Sequence, residues 1–369
     1  LDGRLRENLS EVPDGRWLSV FNVRYVITDK LRDAWLDDVF YDLQFGARLA
    51  GQEDVAVADV PRFESTALGL VSYLDGGQAL SDGALIGTLE VTFDDGAVRV
   101  FELRAGEHSA EGRYDADVSH QQAVVGGHFW PGEPEGADYV ARLRWDTPAT
   151  PTEIRIRAVL AEGELVLRGA SLIDERTGGF QSLVLSDRGR FRLAHSGDVK
   201  VYENLDVMPR AFVVPYAVVA ADDQQALAVM RAADFDPSAM VVLSDMEEGE
   251  VVAPPEREQA DTAGETLPTA RIVSDEPERV EMRIEGASRG YLVLADAWYP
   301  GWTATVDGVP APVLRVDGLL RAVPLPAGAR QVVLTFRPSS LRAGAAVSLV
   351  AVLATVVGGV LAVVVARRQ

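Results

Sequence analysis

From Ala343 to Ala366 the chain runs through 24 residues without a charge, AGAAVSLVAVLATVVGGVLAVVVA. At a rise of 1.5 Å per residue, such a helix reaches about 36 Å, enough to cross a hydrocarbon core of about 30 Å with some tilt. Valine is a poor helix former in water, but in lipid the backbone polar groups have no other partner and the helix is forced. Gly358-Gly359, with scattered alanines and Ser348, gives a small-residue surface suited to packing on other helices. The segment reads as a transmembrane helix, and everything before it as a water-soluble region tethered to a membrane. Arg337 and Arg342 precede the span and Arg367 and Arg368 follow it, so the positive-inside rule is nearly balanced. A short tail stays in the cytoplasm more readily than a large acidic region, which places the bulk of the chain outside.

The formal net charge is −21, and a phosphate backbone needs a basic face, so nucleic acid is excluded as a partner. The same charge argues against docking on anionic lipid. With no cysteine there are no disulfides, thiolate metal sites or cysteine nucleophiles. Leu1 opens the sequence without a basic n-region or a short apolar stretch. Export must then be signalled elsewhere, and the expectation is a C-terminal piece of a longer chain.

The texture ahead of the span is mainly β. SVFNVRYVIT (19–28), VKVYENL (199–205) and RAFVVPYAVV (210–219) read as strands, DDQQALAVMRAADFDP (222–237) as an amphipathic helix, and VVLSD (241–245) as a further strand. Residues 1–63 and 185–245 are expected to form a small α+β domain. Between them, 64–184 alternates apolar and polar residues at period two, with a hairpin signal at Asp95-Gly96. That block reads as an inserted jelly-roll-like β-sandwich. Residues 246–268 are acidic and rich in Pro and Glu and read as a linker. Strands across 269–338, with Asp-Gly turns at 307–308 and 317–318, read as an immunoglobulin-like sandwich leading into the helix at 343–366.

LADAWYPGWTATVDGVPAPVLRVDGLLRAVPLPAG, from Leu294 to Gly328, resembles the C-terminal signature of the YfhO family of bacterial membrane proteins. FNVRYVITD and VKVYENLDVMPRAFVV resemble that family's extracytoplasmic segments, in the same order. The resemblance implies a multi-spanning GT-C-like glycosyltransferase that moves a sugar from a polyprenyl-phosphate donor onto a cell-envelope acceptor. Its acidic catalytic residues would sit between early membrane helices, outside this sequence. The chain is then expected to be the non-catalytic extracytoplasmic C-terminal region, covering the active site or positioning the acceptor. Its partners would be membrane lipid, upstream transmembrane helices and cell-envelope glycan. The alternative is a stand-alone membrane-anchored carbohydrate-binding or adhesion protein.

No catalytic motif is nominated: P-loop, G-x-G-x-x-G and H-E-x-x-H patterns are all missing from the sequence. His108, His120, His128 and His195 lack metal-ligand spacing, so no metal or other cofactor is expected. Two aromatic groups remain. His128, Trp130, Tyr139 and Trp145 are candidates for carbohydrate binding, because a ring face stacks on the C–H face of a sugar. Trp298, Tyr299, Pro300, Gly301 and Trp302 read as a type II turn with flanking aromatics, structural or membrane-proximal. Arg315 and Arg321, across the next turn, are expected to be solvated.

Overall fold

A computed structural model describes residues 12–113, 123–129, 135–232, 234–244, 268–286 and 289–367. It is mainly β, with one long C-terminal helix, as the sequence led us to expect. The chain divides into two compact units, one running to Val207 and the other from Met208 onward, the latter taking in Val20–Asn22 as well.

The first unit is built on a two-sheet sandwich. One sheet orders Gly179–Leu183, Glu164–Asp174, Ser65–Asp75, Ala137–Ala149 and Val124–His128, with Ala47–Ala50 paired to the first half of Glu164–Asp174. The other orders Asp54–Ala56, Pro151–Ala158, Leu85–Phe93 and Val98–Arg104. Strands 47–50 and 54–56 thus join the sandwich although they lie before the expected boundary at 64. The expected hairpin at Asp94-Asp95-Gly96 is present, with Gly96 supplying φ +82°.

Alternation along the strands fills both faces of the larger sheet. Leu68, Leu70, Leu143, Leu165 and Leu172 point into the sandwich core. Ala67, Val71, Val140 and Ile173 point the other way and are covered by the hairpin Asp33–Leu36/Val39–Asp42 through Ala34, Leu36, Val39 and Tyr41. Gly69 makes room for the Tyr41 hydroxyl, which any side chain there would strike.

A small sheet of Tyr25–Thr28, Lys200–Asn204 and Phe191–Ser196 completes the unit. The strand expected over 19–28 is shorter than read, because Gly15–Val20 is a helical turn. The hairpin and the small sheet meet at Lys200, whose side chain is wholly buried. Its Nζ pairs with Asp33, lies 3.0 Å from Asp42 Oδ1, and sits 5.0 Å from the Phe40 ring centroid. Tyr202 donates to Asp42 Oδ2 at 2.6 Å. A lysine removed from water persists only with such partners, because desolvation alone costs several kcal/mol.

The second unit is a sandwich of six and five strands. The five-stranded sheet orders Thr269–Glu276, Arg279–Glu285, Gln331–Phe336, Trp302–Val306 and Val309–Ala311. The six-stranded sheet orders Ala211–Val214, Gly290–Ala297, Leu320–Leu325, Leu314–Val316, Met240–Leu243 and Tyr216–Val219. Three of these strands, 211–214, 216–219 and 240–243, were expected in the α+β domain. Their ladder bonds run instead to 290–297 and 314–316, so the expected domain of 1–63 and 185–245 is divided near residue 207. Pro215 has no N–H to give and breaks the run at 210–219 into two strands. The second of these pairs in parallel with 240–243 across the helix Asp223–Arg231, which ends earlier than the stretch read over 222–237 and is capped by the Asp222 side chain accepting from Gln225 N. The expected linker at 246–268 lies almost wholly outside the described residues.

Ser339–Ala366 forms the last helix, of which Ser339–Val360 has a mean hydropathy of 2.2 and none of its most apolar stretch buried against protein. Its length and composition suit a membrane span.

Candidate functional site

The expected sugar-binding group does not assemble. Trp145 is 4% exposed, donates from Nε1 to Ser65 O at 2.6 Å, and meets Phe93 edge-on at 5.4 Å. It is a core residue of the sandwich and has no face to offer a ligand. Tyr139, half-buried, donates to the Glu111 carbonyl at 3.0 Å. His128 is exposed at the end of the edge strand Val124–His128, and Trp130 lies outside the described residues.

What that side of the unit does bring together is a small cleft of about 120 Å³, lined by Gln44, Phe45, Arg48, Tyr73, Arg168 and Arg188 among others. Arg48 Nε donates to Glu164 at 2.7 Å, its Nη2 to Asp75 at 2.5 Å, and its Nη1 reaches the Tyr73 hydroxyl at 3.4 Å. Tyr73 packs its ring 4.7 Å from Phe129, over which Arg168 lies at 5.9 Å. Arg168 also pairs with Asp138 at 3.7 Å. Burial raises the Tyr73 phenol pKa above its usual value, opposed by Arg48. The phenol therefore stays protonated, a donor and acceptor together. Sites that engulf a small molecule run to roughly 300–1,000 Å³, so this cleft can grip only the edge of a ligand. Sequence reading missed Arg48, Tyr73 and Arg168, because their partners lie 25 to 116 residues away along the chain. Among the described residues no group of His, Asp and Glu is placed to hold a metal ion.

The second aromatic group does form a turn. Gly301 takes φ +108° and its Cα backs onto Pro338, where a Cβ would come within 3.0 Å of the proline Cα. The Gly301 carbonyl accepts from Arg337 N at 2.7 Å. Trp302 pairs with Phe336 across the strands, ring centroids 5.2 Å apart, and Tyr299 stands exposed 6.3 Å from the same phenyl ring. Trp298 N donates to Leu319 O at 2.6 Å. The aromatics thus staple the turn to the strand that feeds the long helix.

Here the structure corrects the sequence. Arg321 is 5% exposed, not solvated: its guanidinium stacks 4.2 Å from the Trp302 centroid and donates to Asp296 at 2.7 Å. Asp296 also accepts a fork from Arg210, whose other end holds Asp275. Burial lowers the Arg321 pKa, with Asp296 pulling against it. Arg315 forks onto Asp223 at 2.6 and 2.7 Å, tying the turn to the crossover helix. Asp317, at φ +50°, accepts from Val242 N at 2.8 Å, and burial pushes its carboxyl up to about 7.

No curated protein matches the chain in sequence. Among solved structures it is similar to a mutant of the arabinofuranosyltransferase AftD from Mycobacteria, with 12% identity and a TM-score of 0.18 over 78% of this chain and 21% of that one. A second AftD structure from Mycobacteria gives 10% identity and a TM-score of 0.21 over 88% of this chain and 25% of that one. The chain therefore spans a fifth to a quarter of those proteins, and neither score reaches the level of a shared fold. The family comparison falls on the very stretch built around the stapled turn: residues 263–348, which reach into the apolar helix, match the family model described as bacterial membrane protein YfhO.

Proposed function

We propose that this chain is the extracytoplasmic C-terminal region of a polytopic membrane glycosyltransferase, itself non-catalytic, that covers the membrane-embedded site or positions a cell-envelope glycan acceptor. The observation that carries the reading is the YfhO match at 263–348, continuous with a helix apolar enough to span a membrane. The transfer chemistry, from a polyprenyl-phosphate-linked sugar, is what resemblance to that family implies. The sandwich of the first unit supports the acceptor role. Its cleft offers a neutral phenol and carboxylate-saturated arginines, groups that trade hydrogen bonds with hydroxyls without attracting a strong anion.

This stretch has no cysteine of its own, so a single cysteine placed in it reports sidedness once any cysteines elsewhere in the full-length gene product are replaced by serine. Ser81→Cys, on an exposed loop of the sandwich, is expected to react with a membrane-impermeant maleimide in intact cells expressing the full-length gene product. Arg367→Cys, behind the span, is expected to react only after the membrane is opened. The reverse pattern rejects the reading. In the same cells, Tyr73→Phe, which removes the cleft hydroxyl and keeps the ring, is expected to lower transfer to the glycan acceptor while leaving the protein in the membrane; unchanged transfer removes the acceptor role.

A further inference from the structure

The hairpin Asp33–Leu36/Val39–Asp42 has two faces. Its inner face packs on the sandwich. Its outer face carries Asp33, Trp35, Phe40 and Asp42, since Trp35 pairs with Phe40 and Asp33 with Asp42. Asp33 and Asp42 are engaged by Lys200. Trp35 is 65% exposed.

That indole is not loose. Phe180 meets it edge-on, centroids 5.4 Å apart at 89°, and Phe40 packs at 5.5 Å and 60°. Phe40 is in turn backed by the Lys200 ammonium. Both neighbours hold the ring while most of its surface stays in water. A rigid aromatic surface held this way loses little entropy on binding.

The hairpin tip adds the polar half. Asp37 and Asp38 take φ +49° and +61°, the left-handed pair of a type I′ turn, where Asn-Gly or Asp-Gly is the unstrained choice. Two carboxylates are kept there instead. Arg142, on the sheet face that the hairpin covers, donates to the Asp37 carbonyl at 2.8 Å and pairs with its carboxylate at 3.9 Å, which fixes the tip and leaves the Asp38 carboxylate beside it. Two residues along a strand span about 6.5 Å, the scale of one sugar ring.

We propose that this outer face is a carbohydrate-binding platform, in which Trp35 stacks on the C–H face of a neutral sugar and Asp38 accepts hydrogen bonds from its hydroxyls. The proposal deepens the acceptor reading above by supplying a site and a ligand class. Charge selects the class: acidic groups at the tip, on a chain of net charge −21, repel uronates, phosphates and anionic lipid surfaces alike.

The test uses the full chain in detergent micelles, titrated with neutral pentose and hexose oligosaccharides and with an oligouronate, and read by ligand-observed saturation transfer. Wild type is expected to bind neutral members of the panel and not the oligouronate. Trp35→Ala is expected to weaken binding by about tenfold or more, the scale of one lost aromatic stack. Trp35→Phe, which keeps a ring and guards against misfolding of the alanine variant, is expected to retain part of it. Asp38→Asn is expected to cost several-fold. Binding by no neutral sugar, or equal binding by Trp35→Ala, overturns the proposal. In nanodiscs with brominated lipid, emission quenched in wild type but not in Trp35→Phe also overturns it, by placing this face on the bilayer. None of these failures changes the maleimide pattern at Ser81→Cys and Arg367→Cys, so the platform and the topology fall separately.

Discussion

Trp145 and Trp35 lie in the same unit and both on β-strands, yet their surroundings are opposite. Trp145 has core on every side and its N–H spent on Ser65. Trp35 is gripped by two phenylalanines and left largely in water. Strand against loop therefore does not separate them. What separates them is the side of the pleat each occupies, and whether a second layer lies above that side.

The largest effect that sharpens this contrast is on stability. Trp145→Ala is expected to cost about 3–5 kcal/mol in denaturant unfolding, as for other large-to-small core changes, with amide exchange rising in Ser65–Asp75 and Ala137–Ala149. Next comes the support beneath the platform. Lys200→Met leaves Asp42, with a 2% exposed side chain, without its cation. The expected cost is about 3 kcal/mol, with faster exchange across Asp33–Asp42 and Lys200–Asn204; protection unchanged there would show that Trp35 is held by its aromatic neighbours alone.

Acid tests the other flank. Asp174, the last residue of the strand Glu164–Asp174 and the partner of Gly179 on the strand bearing Phe180, is held down to about 2 by hydrogen bonds from Arg176 and Thr177. Glu203, on the strand after Lys200, is lowered by Arg192 and Arg24. Both bind protons less readily folded than unfolded, so each contributes stability above about pH 4 that is lost as pH falls towards 2. Melting temperature is expected to drop through that window, and Asp174→Asn to flatten the drop. Smallest of all, Trp35→Ala is expected to shift unfolding by less than about 1 kcal/mol. A cost matching that of Trp145→Ala would make both indoles structural and end the contrast.

How much of this was legible depended on distance along the chain. The turns at Asp95-Gly96, Asp307-Gly308 and Asp317-Gly318 were readable because a glycine in the left-handed region is a local requirement. Asp37-Asp38 adopts left-handed geometry at both positions, as Asp307-Gly308 and Asp317-Gly318 do, without that marker and was passed over. Lys200 was invisible: its partners Asp33 and Asp42 come from a hairpin about 160 residues earlier. Trp145 could have been placed from YVARLRWD itself, where Arg142 and Arg144 define the outward side and set Trp145 in line with Ala141 and Leu143. The acidic stretch at 246–268 suggested a domain boundary, but ladder bonds from 211–214 and 240–243 reach past it to 290–297 and 314–316. The strands on either side of that stretch belong to one sheet.

The stapled turn has a mechanical meaning. Only Arg337 and Pro338 separate the last strand, Gln331–Phe336, from the helix that starts at Ser339, and both are clasped by Gly301. A hinge needs freely rotating bonds, and here one φ is fixed by the proline ring and the neighbouring N–H is tied down. The sandwich and the apolar helix then behave as arm and axle. A change in the helix's tilt, whether from bilayer thickness or from neighbouring spans, would swing the β-arm with it, and a load on that arm would be felt as torque within the membrane.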